Sequence, residues 1–177
     1  TYKRMYFEAF REELVVPRTF AEYNRIASFF TRSEHPASPT QYGSTVAIGN
    51  VVVSPSEFMP RLFAENGQLL DAQGRITVDT SEALRALENY RETYRWSDRT
   101  VYDFWKNALE GFADGSAAMT VVFINYASHI LNMNMSRIAG KLGFAPVPGG
   151  RPLLGGGGVG GPPRRARPGA ARAFPDW

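Results

Sequence analysis

The feature that most constrains the fold is a helix-to-strand junction at residues 112–119, with the sequence FADGSAAM. The pattern predicts a helix that ends at Gly115 and continues at once into a buried strand. A glycine run at 155–158 follows a second predicted strand. This order predicts an α/β fold in which loops and helix starts gather at one end of a small sheet. Open α/β sheets bind their ligands outside the strand ends.

The length of 177 residues allows one sizeable domain, and the chain contains no cysteine. The absence of cysteine excludes a disulfide framework and a cysteine-ligated metal site. No apolar run is long enough to span a bilayer. Residues 1–5 carry neither an initiator Met nor a secretory signal pattern, so we expect a fragment or a processed chain.

The net charge of +3 is unevenly distributed along the chain. Residues 151–177 contain five arginines and one aspartate, whereas residues 1–150 sum to −1. A nucleic-acid binder carries a basic face on its folded body, so the near-neutral body argues against nucleic acid as a partner. We expect one α/β lobe over 1–161 and a Pro- and Arg-rich tail over 162–177, which resembles a degraded terminal helix. Binding of nucleic acid or an acidic surface through that tail is the least supported alternative.

Local patterns predict the remaining elements. A strand end running into a short helix is expected at 2–13. Thr19 and Glu22 form a capping box at the start of a helix. Further helix starts are expected at Ser54 and at Asp79 or Thr80. The other predicted helices span 104–114 and 126–135, and the predicted strands are Val46–Val53, Ala117–Phe123 and Lys141–Ala145. The apolar face of the helix after Thr80 is expected to hold Ala83, Leu84, Leu87, Tyr90 and Tyr94.

The sequence lacks the usual motifs for phosphate or dinucleotide binding, for metal binding and for a nucleophilic serine. The glycine run lacks the Gly-Lys-Ser/Thr of a P-loop, and Pro162-Pro163 follows where a dinucleotide site needs a helix. The histidines, His35 and His129, are far apart and lack metal-ligand spacing. Neither Ser44 nor Ser116 lies in a G-x-S-x-G elbow. The sequence therefore predicts no cofactor and no metal.

Aromatic side chains at predicted loop–helix and strand–loop junctions are the stronger signal. Rings pack on the apolar C–H faces of sugars, while amides and carboxylates bind the hydroxyl groups. The rings are those of Tyr42, Tyr102, Trp105, Phe123 and Tyr126, and the polar residues at similar junctions are Asn50, Glu57 and Asn125. The alternative is that these rings belong to the core. A site role is favoured for Trp105, and both roles stay open for Phe123.

Three segments together resemble the solute-binding proteins of bacterial ABC importers, in the sugar-binding branch that includes maltose-binding protein. Residues 17–23 are similar to P-x-T-W-x-E-[YF], with Phe20 in place of Trp, and residues 112–119 are similar to F-x-x-G-x-A-A-M. Residues 143–157 are similar to G-x-A-P-x-P-G-G followed by G-G-G. The tail departs from the family pattern, because Pro175 would break the family's terminal helix.

The resemblance implies a type II periplasmic-binding-protein-like fold with two α/β lobes that clamp a ligand between them. This chain begins near the crossover between lobes and continues through the second lobe, so it would carry half of the cleft. By the resemblance, Trp105 lines the sugar cleft. Asn125 occupies a position where the family often has a Trp that stacks on the sugar, and Tyr126 would supply the stacking ring in its place. The remaining implied positions are Gly156 and Gly157, whose backbone would lie against the ligand, and Ser54 and Glu57 in the loop before a helix.

The function implied is an extracytoplasmic binding protein, periplasmic or a cell-surface lipoprotein, that captures a sugar or oligosaccharide. It would close two lobes by a hinge, deliver the ligand to the membrane subunits of an ABC permease, and act as a monomer without a cofactor. The alternative is a carbohydrate-processing enzyme that uses the carboxylates of Glu57 and Asp103. That enzyme needs both carboxyl groups within about 5–10 Å across one cleft.

Overall fold

A computed structural model describes residues 1–49, 51–99 and 105–155. The described part of the chain contains six α-helices, two short strands and one 3₁₀ turn. The helices are α1 (Tyr2–Phe10), α2 (Phe20–Phe29), α3 (Val53–Ala64), α4 (Ser81–Arg95), α5 (Trp105–Ala113) and α6 (Ala127–Leu131). The strands are β1 (Tyr42–Ser44) and β2 (Ala117–Met119), and the 3₁₀ turn spans Ile124–Tyr126. None of these helices is both long and apolar enough to cross a membrane.

The two strands pair in parallel, with Tyr42 opposite Ala117 and Ser44 opposite Met119. Their carboxyl ends therefore lie at the same edge of the sheet. The chain that leaves β1 at this edge leads into the start of α3, and α5 runs back from the edge towards β2. The starts of α3 and α5 and the segment after β2 are thus gathered on one side, as the sequence predicted for an α/β fold.

Three of the predicted helix boundaries are confirmed by side-chain and backbone geometry. Thr19 Oγ1 accepts a hydrogen bond from the Glu22 N–H at 3.1 Å, and the Glu22 carboxylate accepts from the Thr19 N–H, which completes the capping box. Thr80 Oγ1 accepts from the Ala83 N–H and caps α4. Gly115 has a φ of 87°, and this left-handed conformation ends the turn after α5.

Two of the three predicted strands were wrong, and the third was too long. The expected strand Val46–Val53 does not form: β1 lies earlier, at Tyr42–Ser44, residues 45–49 are irregular, and α3 already begins at Val53. The expected strand Lys141–Ala145 does not form, and β2 ends at Met119 rather than at Phe123. Ser54 is not a helix cap, because α3 begins one residue earlier, at Val53. Apolar, β-branched runs satisfy a strand pattern even when the backbone finds other hydrogen-bond partners.

The buried face of α4 also differs from the predicted one. Leu84 and Leu87 are 58% and 54% exposed, whereas Ala86 and Thr93 are fully buried. Thr93 Oγ1 donates to the Asn24 side-chain oxygen at 2.7 Å, so a polar contact with α2 sets the rotation of α4. Apolar periodicity cannot anticipate a face that is selected by a buried hydrogen bond.

Three apolar clusters form the interior of the described residues. The first joins α1 to α2 and contains Tyr6, Ile26, Phe29 and Phe30. The second contains Ala47, Val53 and Ala108, and the third contains Leu62, Ala83 and Ala86. The second cluster lies at the carboxyl edge of the sheet and supports the candidate site. The predicted boundary between residues 161 and 162 falls outside the described residues and stays a prediction.

The sheet lies against the backbone of α2 at Gly43. A Cβ atom at Gly43 would overlap the carbonyl group of Ala27. We therefore expect Gly43→Ala to lower the free energy of unfolding by about 2–3 kcal/mol, because the strand must move away from the helix. Urea unfolding followed by circular dichroism measures the change.

Gly143→Ala is the matched control. A Cβ atom at Gly143 would meet no atom within 4 Å, and its backbone is outside the left-handed region. We expect a change below about 1 kcal/mol for this variant. Equal destabilisation by the two variants would contradict the close approach of β1 to α2.

Candidate functional site

The carboxyl edge of the sheet brings together four separate parts of the chain around Trp105. This side chain, at the start of α5, packs against a buried cluster formed by Ala47 of the loop after β1, Val53 of α3 and Ala108 of α5. Phe123, which follows β2, meets the indole edge to face, with ring centroids 5.4 Å apart and an interplanar angle of 83°. Such a pair fixes the orientation of both rings. Trp105 is half-buried, so part of its surface stays accessible at this edge.

The first residue of the glycine run lies beside the same rings. A Cβ atom at Gly155 would come within 2.8 Å of the Phe123 ring. Only glycine allows the backbone to approach the ring this closely. Gly155, the first residue of the glycine run, therefore lies at the carboxyl edge beside Phe123, which follows the 112–119 junction in the chain.

Side chains of α3 and α4 hold the loop that leaves β1. The Ala47 N–H donates to Glu57 Oε1 at 3.2 Å, and the Tyr90 hydroxyl donates to the Ala47 carbonyl at 2.9 Å. The Gly49 N–H donates to Ser54 Oγ at 3.3 Å. These bonds replace the strand ladder that the sequence predicted here, which explains why the apolar run from Val46 does not continue β1.

Glu57 is part of a buried ion pair. Its Oε2 atom lies 3.1 Å from an Arg61 guanidinium nitrogen, and the two side chains are nearly inaccessible to solvent. The guanidinium carbon lies over the rings of Phe20 and Tyr90, 4.6 and 5.1 Å from their centroids. Burial raises the pKa of Glu57, and Arg61 opposes that shift. Burial also raises the pKa of Tyr90 to about 12, so its hydroxyl is a donor at neutral pH.

The structure places the predicted site residues in three groups. Trp105, Ser54 and Glu57 lie at the carboxyl edge, where Ser54 and Glu57 bind loop backbone. Asn125 is exposed and Tyr126 half-buried, in the 3₁₀ turn directly after Phe123. The residues outside the described part of the chain are Asn50, Gly156, Gly157 and the Asp103 of the enzyme alternative. Contact of any of these residues with a ligand stays a prediction.

Sequence reasoning missed the residues that support the site. Arg61 was not singled out, although its position four residues after Glu57 on a helix is the spacing of an ion pair. Tyr90 was expected only as part of an apolar face. Nothing in the sequence marked Ala47 as important, because Glu57 and Tyr90 bind its backbone N–H and carbonyl groups and not its side chain. Within the described residues no group of three or more metal-ligating side chains is found.

Comparison with known proteins identifies the fold. No protein-family model matches the chain, and no curated protein matches it. Similar solved structures include an ABC transporter solute-binding protein from Agrobacterium radiobacter K84 in complex with ribitol, at a TM-score of 0.68 and 23% identity. Maltose-bound MalE3 of T. maritima has a TM-score of 0.65 and 24% identity. An ABC transporter solute-binding protein from Agrobacterium vitis S4 with bound D-mannitol has a TM-score of 0.68 and 18% identity.

These matches cover 83%, 85% and 83% of this chain but only 36%, 39% and 35% of the respective structures. The chain therefore spans little more than a third of the length of the proteins that it resembles. The likeness shows the fold, which is the α/β, periplasmic-binding-protein-like fold of ABC transporter solute-binding proteins. The fold that the sequence resemblance implied is thereby confirmed.

The ion pair predicts a pH-dependent effect of Arg61→Met. The variant leaves the Glu57 carboxylate buried without a counter-charge, which is expected to lower the free energy of unfolding at pH 7 by about 3–5 kcal/mol. The pKa of Glu57, already raised by burial, rises further without Arg61. As the pH falls through that pKa towards the unfolded value, the folded state takes up a proton and the loss becomes smaller.

Denaturant unfolding between pH 5 and pH 8 measures this effect. The double variant Glu57→Gln with Arg61→Met removes both charges, and it is expected to be more stable than Arg61→Met at pH 7. If Arg61→Met lowers the free energy of unfolding equally at pH 5 and at pH 8, Glu57 is not charged in the folded protein.

Proposed function

We propose that this chain is one lobe of an extracytoplasmic binding protein that captures a sugar or oligosaccharide for an ABC importer. The observation that carries the proposal is the accessible, oriented ring of Trp105 at the carboxyl edge of a parallel pair of strands. Ligands of open α/β folds bind at this edge. An indole face held in one orientation is suited to the C–H face of a polyhydroxy compound.

Polar groups around the ring would bind the ligand hydroxyls. Asn125 is exposed and offers both a donor and an acceptor, and Tyr126 in the same 3₁₀ turn adds a phenolic hydroxyl. Affinity then comes from contact with the ring and from hydrogen bonds that replace those the sugar makes with water. In this proposal, the chain supplies one wall of the cleft, and hinge closure against a second lobe completes it.

The electrostatics favour an uncharged ligand. The acidic side chain closest to the loop after β1, Glu57, is neutralised by Arg61 in the interior. The ribitol, maltose and mannitol bound in the similar structures are neutral polyhydroxy compounds. Both observations support a sugar or polyol as the ligand.

The resemblance extends the proposal to partners and location. A binding protein of this kind presents its closed form to the membrane subunits of a permease, and it works outside the cytoplasm, in the periplasm or as a cell-surface lipoprotein. We propose a monomer for this chain. The near-neutral charge of residues 1–150 supports the absence of nucleic acid among its partners.

The enzyme alternative receives less support. Glycoside hydrolysis needs two carboxyl groups that face one cleft. The Glu57 carboxylate binds Arg61 through one oxygen and the Ala47 N–H through the other, and it is only 7% exposed. Asp103 lies outside the described residues. The arrangement around Glu57 therefore favours binding over catalysis.

Replacing Trp105 tests the proposed function. In the full natural protein, Trp105→Ala is expected to weaken binding of the preferred compound among ribitol, mannitol and maltose at least tenfold, about 1.4 kcal/mol or more. Trp105→Phe keeps an aromatic face and is expected to lose less. Isothermal titration calorimetry measures the affinities, and thermal unfolding monitored by circular dichroism confirms that each variant is folded.

Two results would count against the proposal. If Trp105→Ala binds as tightly as the original protein, Trp105 is not part of the binding site. If the original protein binds no sugar or polyol in a panel that includes these three compounds, the proposed ligand class is wrong.

A further inference from the structure

Both backbone polar groups of Ala47 are bound by side chains from outside the loop that contains it. Glu57 of α3 accepts from the N–H, and Tyr90 of α4 donates to the carbonyl. Buried backbone groups in an irregular segment must find partners, and here two helices supply them. Because the two bonds hold opposite sides of one residue, they restrict both its position and its orientation.

Ala47 also belongs to the buried cluster against which Trp105 packs. Ala47 is fully buried and packs with Val53 and Ala108, and the Trp105 side chain lies against this cluster. A shift of Ala47 would therefore change the surface under the indole. Close packing in protein interiors transmits such shifts to the neighbouring side chains.

Arg61 couples the two side chains that hold Ala47. It forms the ion pair with Glu57, and its guanidinium lies over the ring of Tyr90. The same guanidinium lies over Phe20 of α2 and donates to Thr93 of α4. Three helices thus fix the orientation of Glu57 and Tyr90, which leaves these side chains little freedom to follow a moving loop.

We propose that Glu57 and Tyr90 are positioning residues that hold the Ala47 backbone and thereby set the position of Trp105 in the binding site. Glu57 then acts through the loop and not by touching the ligand. The effect on affinity rests on the proposed function, whereas the effect on Ala47 and Trp105 does not. A network that served only to join α3 to α4 would not need to bind both the N–H and the carbonyl group of Ala47.

The test uses Tyr90→Phe in the full chain. This variant removes the hydroxyl that binds the Ala47 carbonyl and keeps the ring beside Arg61. The matched control is Thr40→Val, which removes another buried hydroxyl, bound to the Phe30 carbonyl at 2.7 Å. Thr40 precedes β1, at the end of the strand opposite to the site.

Two NMR measurements without ligand read out the position of the loop. In Tyr90→Phe, the amide hydrogen of Ala47 is expected to exchange at least about tenfold faster, because the loop opens more often. The indole N–H resonance of Trp105 is expected to shift. The chain has three tryptophans, and Trp105→Phe assigns the signal. Thr40→Val is expected to leave both the Ala47 exchange rate and the Trp105 resonance unchanged.

Unchanged Ala47 exchange and an unchanged Trp105 resonance in Tyr90→Phe would overturn the proposal. So would equal changes in Thr40→Val, since they would show a general loss of stability. Either outcome is decided on the unliganded protein, and neither depends on which compound it binds.

Calorimetry with the preferred sugar or polyol then measures the consequence for binding. Tyr90→Phe is expected to weaken binding at least about fivefold, and Thr40→Val less than about twofold. Unchanged affinity in a Tyr90→Phe variant whose loop is loosened would overturn the positioning role. If the original protein binds no compound of this class, the proposed function fails, while the NMR result still decides whether the Tyr90 hydroxyl holds Ala47 and Trp105 in place.

Discussion

The buried contact between Glu57 and Arg61 is the interaction on which the arrangement of the candidate site depends. Removing two charges from water is costly, and a well-packed apolar pair is often as stable. Further contacts hold both members of the pair, because Glu57 also binds loop backbone and Arg61 lies over two aromatic rings and donates to Thr93. A buried pair held in this way has few alternative geometries. Its contribution is therefore better described as a constraint on where α2, α3, α4 and the loop after β1 can lie.

The parallel pairing of two very short strands has a consequence beyond its own hydrogen bonds. It brings residues 47, 53, 105 and 123, which are distant in sequence, to one edge. Gly43 allows β1 to lie directly on α2, and Gly155 allows its own backbone to approach the Phe123 ring. Small residues thus determine how closely the walls of the site approach one another, while the large rings determine its surface.

Much of the fold could be predicted from local patterns, but the site could be predicted only in part. Thr19, Thr80 and Gly115 have mechanisms that act within a few residues, so their positions as helix boundaries were readable. The sequence also predicted that Trp105 lies at a junction between a loop and a helix. The roles of Ser54 and Glu57 as partners of the loop backbone were not, because their acceptors bind groups five and ten residues away whose position depends on tertiary packing.

By itself, the sequence determined the α/β class, the helix boundaries at Thr19, Thr80 and Gly115, and the position of Trp105 at a junction between elements, since caps, turns and periodicity are local properties of the chain. Tertiary structure alone decided where β1 ends, which face of α4 is buried, and that Glu57 faces the interior. Those three outcomes depend on buried hydrogen bonds between residues that are not neighbours in sequence. A buried polar group must be paired, and only the folded chain brings its partner within reach.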